Sequence, residues 1–138
     1  MMRLAILSAA LLILSGCATE VVPTQEASSV PRERILAPDL VRPSTESGSV
    51  ILKRDTGLNN AACNFRLFLD GQAFADIGTS EKVQIYARPG EHILGAETNG
   101  ICFAGNAETT TSLIAGQTRI YRVSVGSGGE LKLQPTAF

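Results

Sequence analysis

Asn64-Phe65-Arg66-Leu67-Phe68-Leu69-Asp70-Gly71-Gln72-Ala73-Phe74-Ala75-Asp76-Ile77 decides how this chain folds. Phe65, Leu67 and Leu69 recur at every second position, with Arg66 and Asp70 on the opposite face, which is the period of a strand with one buried side. Asp70-Gly71 then reads as a tight two-residue turn, and Gln72 to Ile77 returns as a second strand. The stretch is a β-hairpin.

The same grammar continues toward the C-terminus. Lys82 to Arg88 sets Val83, Ile85 and Ala87 against Lys82, Gln84, Tyr86 and Arg88. Pro89-Gly90 follows as a turn, because proline presets φ and glycine tolerates a positive φ. Glu91 to Thr98 reads as the return strand. Beyond a loop around Gly100 and Gly105, Glu108 to Ile114 is rich in threonine, which suits a pleated surface. Ala115-Gly116 turns the chain into Thr118 to Val125, with Tyr121, Val123 and Val125 inward and Arg122 and Ser124 outward. Gly126 to Gly129 is another turn, and Glu130 to Gln134 is a last strand with Leu131 and Leu133 inward. About seven or eight short strands with no helical period predict an all-β domain, a small antiparallel β-sandwich over residues 46–138.

The N-terminal region is of another kind. Met1-Met2-Arg3 precedes an apolar run from Leu4 to Leu14. As a helix this run covers roughly 16 Å of a ~30 Å hydrocarbon core, so it suits a signal peptide rather than a membrane span. It ends in Leu14-Ser15-Gly16-Cys17, a leucine and two small residues before a cysteine. That is the lipobox pattern, which implies a signal peptide over residues 1–16 and a diacylglyceryl group on the thiol of Cys17. Ala18, rather than aspartate, follows Cys17. In Gram-negative lipoproteins that implies transfer to the outer membrane. Residues 17–45 hold Pro23, Pro31, Pro38 and Pro43, which break helix and strand alike, and are expected to be a lipidated N-terminus and linker. Within it, Arg32 to Ala37 has the composition of one or two helical turns. The segment reads as more linker, or as a docking segment anchored by Ile35, Leu36, Leu40 and Val41.

Once Cys17 carries lipid, Cys63 and Cys102 are the remaining two of three cysteines. In an oxidising compartment they are expected to pair. Closing a loop of about 40 residues stabilises the fold by roughly 4 kcal/mol in the chain-entropy model. Two free thiols and a metal site are the alternatives, but zinc wants four ligands and the chain has one histidine.

Phe68-Leu69-Asp70-Gly71, Ala73 to Asp76, Glu81-Lys82-Val83 and Arg88-Pro89-Gly90-Glu91-His92 occur in this order. The series resembles the small β-modules of the PEGA type. With its proline-rich start, cysteine pair and Leu133-Gln134-Pro135-Thr136 end, the chain is also similar to a group of small proteobacterial outer-membrane lipoproteins of unassigned function. The likeness covers roughly Ser49 to Phe138 and rests mostly on turns. It implies an envelope-associated β-module and no catalytic residue. The cysteine pair departs from the plain PEGA pattern.

Other chemistries fit poorly. Lys plus Arg number 12 and Asp plus Glu 13, so no basic excess marks a nucleic-acid partner. Tryptophan is absent, which counts against a sugar-stacking cleft. His92 has Glu91 and Glu97 nearby in sequence, but Glu91 is its immediate neighbour and points to the opposite face of a strand. Ser127-Gly128-Gly129 suits a hairpin, not a cofactor loop. Asp70 and Asp76 are too few for calcium. Arg66, Arg88, Arg119 and Arg122 are candidates for an outward patch facing anionic glycan, or else a solvated face; Lys53 and Arg54 are equally open. The expectation is a lipid-anchored, non-enzymatic envelope protein without cofactor or metal, acting as a structural or protein-interaction module. A periplasmic binding module for a glycan, peptidoglycan or other envelope ligand is the alternative. A membrane through the lipid, and an envelope protein or glycan, are the partners implied.

Overall fold

A computed structural model describes residues 19–57 and 60–138. Cys17 and residues 1–16, expected as a signal peptide, lie outside the described residues. The described chain is an all-β sandwich of nine strands and two 3-10 turns. The strands are β1 (Ser28–Ser29), β2 (Gly48–Arg54), β3 (Phe65–Leu69), β4 (Gln72–Ile77), β5 (Glu81–Ala87), β6 (Gly90–Thr98), β7 (Asn106–Leu113), β8 (Thr118–Val125) and β9 (Leu131–Pro135). One sheet has the order β1-β5-β2-β8-β9 and the other β4-β3-β6-β7.

Alternation places the core where the sequence pattern predicts. Phe65, Leu67, Leu69, Val83, Ile85, Tyr121, Val123, Val125, Leu131 and Leu133 are all buried between the sheets. Asp70 and Gly71 both adopt positive φ, 49° and 81°, the geometry that closes a two-residue hairpin without splaying its strands. Between Leu67 and Phe68 the β3–β4 register slips by one residue. The extra residue, Phe74, is driven fully into the core, and its carbonyl is left facing outward.

Three features depart from the sequence reading. First, β2 was not resolved by pattern, because it is buried on nearly every residue and shows no alternation. It is the middle strand of its sheet, antiparallel to β5 and parallel to β8. At its start, a Cβ on Gly48 would lie 2.8 Å from the Leu113 Cβ, so the two sheets approach here as only glycine permits. Second, Pro89-Gly90 is not a hairpin turn. β5 and β6 belong to different sheets, and Gly90, at φ 130°, turns the chain from one to the other.

Third, residues 19–45, expected as a linker, are laid against the sandwich as a strap. β1 runs parallel beside β5. Farther on, Ile35 bridges to Ala75, and the amides of Leu36 and Ala37 both donate to the outward Phe74 carbonyl. The strap therefore covers one edge strand of each sheet, satisfying backbone groups that would otherwise stay open. Arg32–Arg34 and Pro38–Val41 form the two 3-10 turns. Ile35, Leu40 and Val41 pack against the core, whereas Leu36 stays exposed. Arg34 holds the strap in place. Its guanidinium binds both carboxylate oxygens of Glu81 and donates to the Asp76 carbonyl at 3.1 Å, and the Glu81 bond raises its pKa. Prolines forbade long regular elements in this segment without forbidding its packing, because the extended backbone they favour is what an edge-covering strap needs.

Candidate functional site

The strand directions collect one set of loops at one end of the sandwich. There β2 ends and β3 begins, β4 passes to β5, β6 passes to β7, and β8 passes to β9. Cys63 and Cys102 are joined across this end by a disulfide, with Cα atoms 6.2 Å apart. Leu131 donates to the Ala104 carbonyl at 2.9 Å, which ties the cystine loop to the start of β9. Thr19 arrives at the same place. Its hydroxyl donates to the Val125 carbonyl at 2.7 Å, and Glu20 and Thr56 exchange backbone hydrogen bonds of 3.1 Å each.

This end buries its charges. Arg54 points into the sandwich, with its guanidinium 3.6 Å from the centre of the Phe65 ring. It donates to the carbonyls of Cys63, Ile77 and Asn60, so one cation orders the loop that carries the cystine. Burial lowers its pKa to about 10. On the outer face of the same strand, Lys53 and Asp55 lie under the strap. The Lys53 ammonium is wholly buried and donates to the Val22 carbonyl, and burial lowers its pKa. Asp55 accepts from the Val22 amide at 3.3 Å and pairs with Arg122 at 2.6 Å. The contact runs from Arg122 Nη2 to Asp55 Oδ2 without hydrogen-bond geometry, and the buried Arg122 Nε has no hydrogen-bond partner among the described residues.

The surface above is apolar. Ile101 is 86% exposed and Phe103 94% exposed, one on each side of the disulfide-bonded Cys102. Residues 60–64, 98–107 and 126–129 contain no Asp, Glu, Lys, Arg or His. The neighbouring charges are Glu20, beside Thr56, exposed Glu97, opposite Asn106, the Arg34–Glu81 pair beside Asn64 and Gly78, and Glu130, paired with Lys132 at 3.2 Å.

Arg66, Arg88, Arg119 and Arg122 do not gather into one patch. Arg66 pairs in a bidentate bridge with Asp76 on the four-stranded sheet, at 2.9 and 3.0 Å. Arg122 is drawn to Asp55 on the other sheet, Arg119 is exposed at the start of β8, and Arg88 lies at the corner after β5. Lys53 and Arg54, open in the sequence reading, are interior. Asp70 and Asp76 serve separate partners. His92 sits at the far end, where Nδ1 contacts Asp70 at 2.6 Å and Nε2 contacts the Arg88 carbonyl at 2.7 Å. Burial works against its charge, but the Asp70 and Arg88 bonds outweigh it and raise the His92 pKa. Among the described residues no three His, Cys, Asp or Glu side chains converge as a metal site.

Sequence reasoning passed over the two features that distinguish this end. The series Lys53-Arg54-Asp55 ending an apolar strand was a readable hint of buried charge, since Asp55 offers a counter-ion to the cations just before it. The apolar residues flanking Cys102 were readable as well, because a cysteine held by a disulfide fixes its neighbours in place. The chain matches no protein-family model and no curated protein.

Proposed function

We propose that this protein is a lipoprotein of the bacterial outer membrane, attached through acylated Cys17 and acting as a structural or protein-interaction module. The observation that carries the reading is Leu14-Ser15-Gly16-Cys17 at the end of an apolar run too short to span a bilayer. The Cys63–Cys102 disulfide supports it, because persistent cystines belong to compartments outside the reducing cytosol. Ala18 supports the outer membrane as destination. No catalytic step is assigned: both His92 nitrogens are engaged by turn residues, and a general base needs a free lone pair.

Intact mass measurement of the mature protein, expressed with its own leader in a Gram-negative host, tests the anchor. The expected result is a chain beginning at Cys17 and carrying acyl mass, with Cys17→Ser left unacylated. An unmodified amino terminus overturns the reading.

The alternative, a module for glycan or peptidoglycan, has one observation on its side. An open groove of about 240 Å³ crosses the outer face of the four-stranded sheet, floored by Gly95 beside Phe68 and edged by Glu97, Asn106 and Glu108. Titration with soluble peptidoglycan fragments decides it: shifted amide resonances along β6 and β7 favour this module, and an unchanged spectrum removes it.

A further inference from the structure

The strap changes what a lipid on Cys17 does to the domain. A flexible linker of residues 17–45 would let the sandwich float clear of the bilayer. Instead the chain is already bound at Thr19, by its hydroxyl to Val125 and by the Glu20–Thr56 bridge. Two peptide units separate Cys17 from Thr19, a span of at most about 7 Å. An acylated Cys17 therefore holds the cystine end of the sandwich directly at the membrane surface. That is the end where Ile101 and Phe103 stand exposed and where three loops carry no charge.

We propose that this end is a membrane-contact face, with Ile101 and Phe103 seated in the lipid interface beside the acyl chains of Cys17. The inference rests on the anchoring reading above. Its occupant is lipid, rather than a protein, because the chain itself delivers its own acyl group to this end. The disulfide gives the tips their stiffness. Cys102, between them, is bonded to Cys63, and the Cys63 carbonyl is held from inside by Arg54. Apolar side chains on a pre-ordered loop enter the interface without first losing loop entropy. The absence of charge in residues 60–64, 98–107 and 126–129 lowers the desolvation cost of bringing these loops to the interface, with Glu20, Glu97 and Glu130 at their border.

The chain has no tryptophan, so a single one reports on its own position. Phe103→Trp places it at the exposed tip, and Gln117→Trp places it in the exposed turn before β8, at the opposite end. Each full-length variant is purified from membranes, weighed to establish its acyl groups, and reconstituted in phosphatidylethanolamine–phosphatidylglycerol vesicles with or without brominated acyl chains. The expected result is quenching by about two-fold or more at position 103, the depth of an interfacial apolar face, and unchanged emission at position 117. A chain of correct acyl mass with no quenching at 103, or with equal quenching at both sites, overturns the contact face while leaving the anchor intact. Blue-shifted emission at 103 in whole envelopes combined with no quenching in pure vesicles also overturns it, and assigns the tips to a protein. A chain without acyl mass overturns the anchoring reading, and the contact face falls with it.

Discussion

The two ends of the sandwich invert one another. At the cystine end Lys53, Arg54 and Asp55 are buried and Ile101 and Phe103 face outward. At the other end Asp70, Arg88 and Glu91 lie at the surface with His92 partly covered beneath them, and Ile114 there is only half exposed. A polar surface with charge–charge contacts across turns is the ordinary state of a soluble domain. The cystine end costs stability on both counts, interior charges that must be satisfied and apolar tips that are not covered. Such a departure from local consistency is characteristic of a surface shaped by function.

The comparison breaks or sharpens under substitution. The largest effect is expected at Asp55, whose loss strands Lys53 and Arg122 beneath the strap. Asp55→Ala should destabilise by about 3–5 kcal/mol in urea unfolding, while Asp70→Ala at the far end should cost less than half as much. Equal losses would mean that burial does not separate the two ends. Next comes the disulfide. Cys63→Ser with Cys102→Ser should lower stability by about 2–4 kcal/mol, and amide exchange should quicken first in residues 99–105. Uniform acceleration across β3 to β9 would deny the cystine a local role.

A smaller effect follows pH. His92 has its pKa raised above 6.5, so its charged pairing contributes fully below pH 6.5 and fades as pH rises through the higher folded value. Asp70 has its pKa lowered from 3.8 by the Ile93 amide and by His92, so its contribution is full above pH 3.8 and fades as pH falls through the lower folded value. The far end is therefore firmest between pH 3.8 and 6.5. Stability should fall by less than about 1 kcal/mol from pH 5.5 to pH 8, the size expected of a pair whose carboxylate is half exposed. His92→Gln should flatten that slope, and an unaltered slope would show that another group sets it. The smallest effect on folding belongs to the tips. Ile101→Ser with Phe103→Ser should leave the thermal midpoint within the change expected of about 0.5 kcal/mol, because neither side chain packs on the core. A larger loss would show that they do.

Much of the architecture was readable one residue at a time. Strands β3 and β8 fall where alternation set them, with their inward faces buried, and β4 falls where the Asp70-Gly71 turn returned the chain. The pairing of Cys63 with Cys102 followed from compartment and count. The strap and β2 resisted reading for a common reason. Val22, Val30 and Ala37 are buried, but they are spaced irregularly between prolines and give no period to detect. β2 is covered on both faces, so its pattern is a run and not an alternation. Without the strap in view, Lys53 reads as a surface cation; under it, the same side chain is interior.

What the amino-acid sequence determined alone is local: the strand faces, the Asp70-Gly71 turn, the cystine partners and the lipobox pattern that motivates the anchor. Side-chain alternation, positive φ and thiol chemistry act within a few bonds, so they need no knowledge of the fold. Tertiary structure alone decided the order of strands, the parallel seating of β2 beside β8, the burial of Lys53 and Arg54, and the arrival of Thr19 at the cystine end. Those outcomes depend on which surfaces meet across dozens of residues, where the hydrophobic drive to cover an edge outweighs the local preference of a charged or proline-rich segment for water.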